Sequence, residues 1–191
     1  MQVIATDVLD TKEKMVNMAQ EQLKKPGFAI DPYFYRSHVT YQSELEHIIF
    51  KSWLYAGHVS QIPNKGDYFL FDIGEDSIII CRDRKEEIHA MHNMCRHRGA
   101  RVCEEPSGNC RVFACPYHGW GYALDGTLKA ARDMRDVEGF NFEDYGLLHV
   151  RMEIFQGMIF INCDPDAPDI VPPMVAAPST LNVPSTLTFS L

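Results

Sequence analysis

Two stretches of this chain each pair one cysteine with one histidine: Cys95 and His97 in "CRHRG", and Cys115 and His118 in "CPYHGW". Seventeen residues separate His97 from Cys115, and each pair runs into a glycine, Gly99 or Gly119, of the kind that lets a chain turn tightly. Thiolate and neutral imidazole are both metal donors. Donors split evenly over two loops constrain the fold more than any other feature, because the loops must project side by side from a framework stiff enough to hold them at one site.

The sequence around the loops supplies such a framework. From Gly66 onward apolar residues recur with period two, and "DYFLFDI", "SIIICR" and "EIHAMHN" have strand length, separated by Gly74-Glu75-Asp76 and by the charged turn Asp83 to Glu86. Further on, "LHVRMEIF" and "MIFINC" meet at Gln156-Gly157 and read as a hairpin. Before the strands, Asp10 is positioned to cap a helix with Glu13 reaching back; Met15, Met18, Ala19 and Leu23 recur at helical spacing until Pro26-Gly27 stop it. A second helix fits "TYQSELEHIIFK", leading into the aromatic strand "SWLYAGH". From Asp164 on the chain holds six of its eleven prolines, and such a segment supplies few strand donors. The expected organisation is a helical arm over residues 1–29, a small antiparallel β domain over 30–163 with short N-terminal helices, and a proline-rich extended tail over 164–191.

With 191 residues and 46% hydrophobic content, the chain has material for one well-buried core. The net charge of −8 repels nucleic acid and anionic membrane, so neither is expected as a partner. No run of eighteen apolar residues occurs, and "MQVIATDVLDTKEK" lacks the features of a signal or transit peptide, so the expected location is the cytoplasm. Six cysteines in that setting point to metal ligation or free thiols before disulfides.

Two cysteines with two histidines first suggest zinc, but a zinc finger sets both cysteines on one knuckle and both histidines on the other. Here each loop brings one anionic sulfur and one neutral imidazole. That division suits a dinuclear iron centre with one iron on two thiolates and the other on two imidazoles, which is the Rieske 2Fe-2S arrangement. Replacing two thiolates by imidazoles removes negative charge and raises the potential from about −400 mV, typical of plant-type ferredoxins, to roughly −150 to +300 mV. A redox-inactive zinc module remains the alternative reading of the four residues.

"NMCRHRGARVC" together with "CPYHGWGYALDG" resembles the N-terminal Rieske domain of the α subunit of Rieske non-haem iron oxygenases, the family of aromatic-ring-hydroxylating dioxygenases and related monooxygenases and N-demethylases. The likeness covers about residues 30–170. It implies a mainly β fold, an iron-sulfur β-sandwich or barrel, with Cys95, His97, Cys115 and His118 as cluster ligands. It also implies electron donation by an NAD(P)H-dependent reductase or a ferredoxin, and delivery to a mononuclear Fe(II) held by two histidines and a carboxylate in a catalytic domain. No second set of that kind is found in this sequence. That iron is therefore expected elsewhere, in a catalytic domain or a neighbouring α subunit of a homotrimer, and no catalytic residue is assigned. Respiratory Rieske proteins carry two further cysteines where this chain has Ala100 and Tyr117. A stand-alone Rieske-type ferredoxin is the runner-up.

Other candidates have plainer readings. Cys81 and Cys163 end apolar runs and read as buried thiols, and Cys103 and Cys110 as free thiols. His38, His47, His58, His92 and His149 read as structural. Arg96, Arg98, Arg101 and Arg111 form a basic group that either pairs with Glu104, Glu105 and backbone carbonyls or docks an acidic donor. Tyr117, Trp120 and Tyr122 are expected to pack over the site, and residues 132–146 to form a solvated acidic face.

Overall fold

A computed structural model describes residues 10–134 and 137–170. Two helices, α1 (Lys12–Leu23) and α2 (His38–His47), precede ten strands: β1 (Leu54–His58), β2 (Asp67–Ile73), β3 (Asp76–Arg82), β4 (Ile88–His92), β5 (Ser107–Asn109), β6 (Phe113–Ala114), β7 (Gly121–Tyr122), β8 (Leu128–Ala130), β9 (Arg151–Phe155) and β10 (Met158–Asn162). They form three antiparallel sheets ordered β1-β10-β9, β4-β3-β2-β5 and β6-β7-β8, so the expected mainly β class holds. Among the described residues no sheet closes into a barrel. No described helix is long and apolar enough to cross a membrane.

Strand β3 shows why the sheets stack this way. Successive side chains of a strand point to opposite faces, and here both faces are covered. Ile78 and Ile80 join Phe69, Ile159 and Ile161 in one core, while Ile79 and Cys81 join Met91, Phe113, Tyr122 and Leu124 in the other. All four of these β3 residues are fully buried. An unbroken apolar run is thus the signature of a strand between two cores, and each isoleucine contributes about 1.5–3 kcal/mol by leaving water. The core with Ile79 and Cys81 carries the two cysteine-histidine loops. The β9–β10 hairpin turns at Gln156 and Gly157, both with positive φ, as a two-residue turn requires. A Cβ on Gly157 would lie 2.3 Å from His58 Nε2, so this glycine also admits a neighbour.

The N-terminal arm departs from the sequence reading in its cap. Thr11, not Asp10, caps α1, its hydroxyl accepting from Lys14 N–H. Asp10 instead serves α2: its carboxylate accepts from Tyr33 Oη at 2.7 Å, Ser37 Oγ at 2.7 Å and the N–H groups of His38 at 2.8 Å and Val39 at 3.2 Å. A tertiary partner with four donors outweighs a local cap with one. No residue of α1 is buried, so this latch is a principal tie of the arm. Hydrogen bonds from Tyr33 and Ser37, with the α2 amides, hold the Asp10 carboxyl at about 2. A carboxyl lowered on folding contributes stability above its unfolded value, and that contribution is lost as pH falls through about 2. Asp10→Ala is expected to free the arm at neutral pH, seen as faster proteolytic cleavage between residues 10 and 38 with the β domain intact; unchanged cleavage would rule the latch out.

The proline-rich segment is not free where it is described. Arg151 donates to the carbonyl of Ala167 and pairs with Asp169, Trp53 Nε1 donates to Pro168 O at 2.9 Å, and Glu153 accepts from Ile170 N at 3.0 Å. Residues 167–170 are therefore held against β9 and the residue just before β1, because Arg151, Glu153 and Trp53 supply the partners that proline-rich backbone cannot find within itself. The rest of the expected tail, and residues 1–9 of the arm, lie outside the described residues.

Candidate metal centre

The two loops are built alike. In the first, Cys95 N–H donates to Ala100 O at 2.8 Å and Gly99 N–H to Cys95 O at 2.9 Å; in the second, Cys115 N–H donates to Trp120 O at 2.8 Å and Gly119 N–H to Cys115 O at 3.0 Å. Gly99 and Gly119, each four residues after the cysteine, have φ of 74° and 70°. Nothing lies within 4 Å of where their Cβ atoms would sit, so the left-handed backbone and not space calls for glycine. The histidine comes two residues after Cys95 but three after Cys115.

These turns bring the four sequence-predicted residues together. Cys95 and Cys115 are 2% and 3% exposed, and their thiols are neighbours. The Cys115 sulfur also faces the N–H groups of Tyr117 and His118, although burial pushes its thiol up overall. The rings of His97 and His118 meet edge to face with centroids 4.6 Å apart. Burial, with His118 and Arg98 adding to it, holds the His97 imidazole below its ordinary value and so favours its neutral form. The Nδ1 atoms of both histidines are buried and have no hydrogen-bond partner. A buried polar nitrogen without a partner is costly and rare. Two such nitrogens and two buried thiols, carried on the same pair of loops, form a donor set that fits a dinuclear iron-sulfur cluster of mixed thiolate and imidazole ligation.

An aromatic wall backs one side. Trp120, 2% exposed, stacks on His97 with centroids 4.9 Å apart and 10° between planes, and is braced edge-on by Phe140 and Tyr145, each at 5.8 Å. Phe140 and Tyr145 stack on each other at 4.6 Å. Residues 132–146, expected as a solvated acidic face, thus pack three half-buried rings, Phe140, Phe142 and Tyr145, against the core; their charges had masked the aromatic positions. On the other side Tyr117, 61% exposed, lies over His118 at 3.9 Å. Tyr122 does more than pack: fully buried, its oxygen accepts from Arg96 N at 3.1 Å and lies 3.2 Å from Cys95 Sγ. Only its aromatic character was legible in the sequence.

The remaining candidates lie apart from the four. Cys81 Sγ faces Leu124 O at 3.1 Å, and burial pushes its thiol up. Cys103 and Cys110 are free and line a cavity of about 290 Å³ beside the second loop; burial pushes Cys103 up to about 12. His47, His58 and His149 bind Ser43 O, Ser60 Oγ and Asp125 O, and His89 pairs with Asp83 at 3.2 Å. Arg101 contacts Asp72 at 3.5 Å and the carbonyl of Glu75, so its partners are not the expected Glu104 and Glu105.

Comparison with known proteins agrees with this geometry. Residues 52–141 match the family described as Rieske [2Fe-2S] domain. The chain is 42% identical over 142 residues to biphenyl 2,3-dioxygenase subunit alpha of Rhodococcus jostii, covering 74% of this chain and 31% of that protein. It is 34% identical over 144 residues to the glycine betaine monooxygenase oxygenase subunit of Pseudomonas aeruginosa, covering 75% and 33%. Among solved structures it superposes on naphthalene 1,2-dioxygenase from a Rhodococcus species with a TM-score of 0.72 at 30% identity, over 85% of this chain and 38% of that one. The chain thus spans about a third of the length of the curated relatives it matches. With its two loops, its mainly antiparallel sheets and these relatives, the chain belongs to the Rieske [2Fe-2S] proteins, in the group that includes the alpha subunits of ring-hydroxylating dioxygenases.

Proposed function

We propose that the thiolates of Cys95 and Cys115 hold one iron and Nδ1 of His97 and His118 the other, and that the domain relays single electrons. The donor would be an NAD(P)H-dependent reductase or a ferredoxin. The acceptor would be the mononuclear iron of an oxygenase catalytic domain, in the same polypeptide or in a neighbouring α subunit of a trimer, for dioxygen-dependent hydroxylation or demethylation. The observation that carries this reading is the pair of unpartnered, buried Nδ1 atoms on the same two loops as two buried thiols. When bound, the cluster supplies a one-electron couple at roughly −150 to +300 mV.

The residues around the site then have distinct tasks. Trp120 fixes the plane of His97 and keeps water from that side, while Tyr145 and Phe140 keep Trp120 in place. Gly99 and Gly119 aim each cysteine and histidine inward. The exposed Arg98 and Arg111, with Tyr117, give the loop surface a positive and partly apolar character in a chain of net charge −8, which suits an acidic electron donor.

Purified protein is expected to contain iron and acid-labile sulfide in equal amounts, to show the electron paramagnetic signal of a mixed histidine-cysteine cluster after dithionite, and to lose visible absorbance when NAD(P)H and a suitable reductase are added. Stoichiometric zinc without sulfide after anaerobic reconstitution would end the cluster reading. Reduction that is never passed on to a full-length, cluster-disabled oxygenase of the group would favour a stand-alone ferredoxin.

A further inference from the structure

The two ligand loops share a turn but are closed at their feet in different ways. The second springs from the β6–β7 hairpin, where Phe113 pairs with Tyr122 and Ala114 with Gly121, so main-chain bonds hold its ends. The first leaves β4 at His92, and the strands on either side of it, β4 and β5, pair with β3 and β2 and not with each other. One side chain takes the place of such a pairing. Asn93, 3% exposed, accepts at Oδ1 from the N–H groups of Val102 at 2.9 Å and Cys103 at 2.8 Å. Its Nδ2 donates to Cys103 O at 2.7 Å and Ser77 Oγ at 3.3 Å. Its own N–H donates to Ser77 O at 2.8 Å. Every donor and acceptor of the amide has a partner, and together they tie both ends of the loop that carries Cys95 and His97 to the buried strand β3.

We propose that Asn93 is the positioning residue of the first ligand loop, doing with one buried amide what a strand pair does for the second. This rests on the reading that Cys95 and His97 hold the cluster. Only asparagine offers two donors and two acceptors at this reach: aspartate keeps the bonds to Val102 and Cys103 N–H but loses the two donated ones, glutamine is a methylene too long for a filled site, and alanine leaves three main-chain groups without partners.

The test compares holoprotein variants in the rate at which iron passes to an excess of chelator, read beside thermal stability and the visible circular dichroism of the cluster. Asn93→Ala should release iron about tenfold faster or more, as outer residues that orient ligands do when removed, with Asn93→Asp in between. The control is Asn162→Ala, which removes another buried asparagine, one that donates to Lys51 O and accepts from Asp164 N in the β1-β10-β9 sheet. It should lower thermal stability and leave iron release unchanged. Wild-type release from Asn93→Ala, or equal acceleration by Asn162→Ala, would overturn the proposal. Should Asn93→Ala not fold, hydrogen exchange in the wild-type holoprotein decides: the Val102 and Cys103 amides should exchange as slowly as those of Ile79 and Ile80, and fast exchange there refutes the clamp. Wild-type protein without iron and sulfide would instead defeat the ligand reading beneath it.

Discussion

His118→Ala is expected to leave a folded, colourless protein. The imidazole that this change removes presents a buried nitrogen with no partner among the described residues, and its ring lies 4.6 Å from that of His97. No other histidine lies against this pair, so a replacement ligand is not at hand. Residues that merely orient ligands cost about 10–100-fold in metal affinity when removed, and loss of a direct ligand should exceed that. Iron and sulfide should therefore fall from stoichiometric to trace amounts after His118→Ala, and equally after His97→Ala. His97→Cys separates charge from occupancy: if the cluster survives, an anion in place of a neutral imidazole should lower its potential. Cys81→Ala is the contrasting variant, since that thiol packs in the core and bonds the carbonyl of Leu124, so its removal costs stability and should leave the cluster in place. A bleached Cys81→Ala beside a fully loaded His118→Ala would show the ligand set to be wrong.

Tyr122→Phe should keep the cluster and lower its midpoint potential. Because the phenol oxygen already accepts from Arg96 N–H, its own proton is free for the Cys95 sulfur 3.2 Å away. A thiolate ligand can only accept, and the bond strengthens as negative charge on it grows, so the hydroxyl favours the reduced state. If that differential is about 1 kcal/mol, within the range for hydrogen bonds to charged groups, the potential falls by about 40 mV. The same change leaves Arg96 N–H without its acceptor, at a stability cost of about 1 kcal/mol. A redox titration that finds the Tyr122→Phe potential unaltered would reduce the hydroxyl to a structural role.

What could be read from the sequence follows the range of the interactions involved. Strands β2, β3, β4 and β10 were legible because their apolar pattern is local, and the hairpin at Gln156-Gly157 because its turn chemistry is. The meeting of the two cysteine-histidine loops was legible for the same reason, since each pair lies within four residues and its chemistry limits the metals it could serve. The contacts that depend on folding were not. Tyr122 meets Cys95 across 27 residues, Asp10 meets Ser37 across the same span, and Phe140 and Tyr145 reach Trp120 out of a stretch whose acidic composition argues for solvent. Asp10 shows the competition most plainly: its sequence position favours a local cap at the start of α1, yet the start of α2, with Tyr33 before it, offers more donors and takes it.

The pairing of β1 with β10 makes neighbours of strands at opposite ends of the domain, and the hydrogen bond from Asn162 to Lys51 O closes a span of 111 residues. While the chain is being made, β1 therefore leaves the ribosome without its partner. At about 5–20 residues per second, the wait before β10 emerges is several seconds or more, far longer than a hairpin needs to form. During that interval β2, β3 and β4 can pair with their sequence neighbours, whereas the sheet that buries Ile159 and Ile161 cannot form. Loop closure over so many residues makes this a late pairing in folding, and leaves the open edge of β1 exposed to other nascent chains until then.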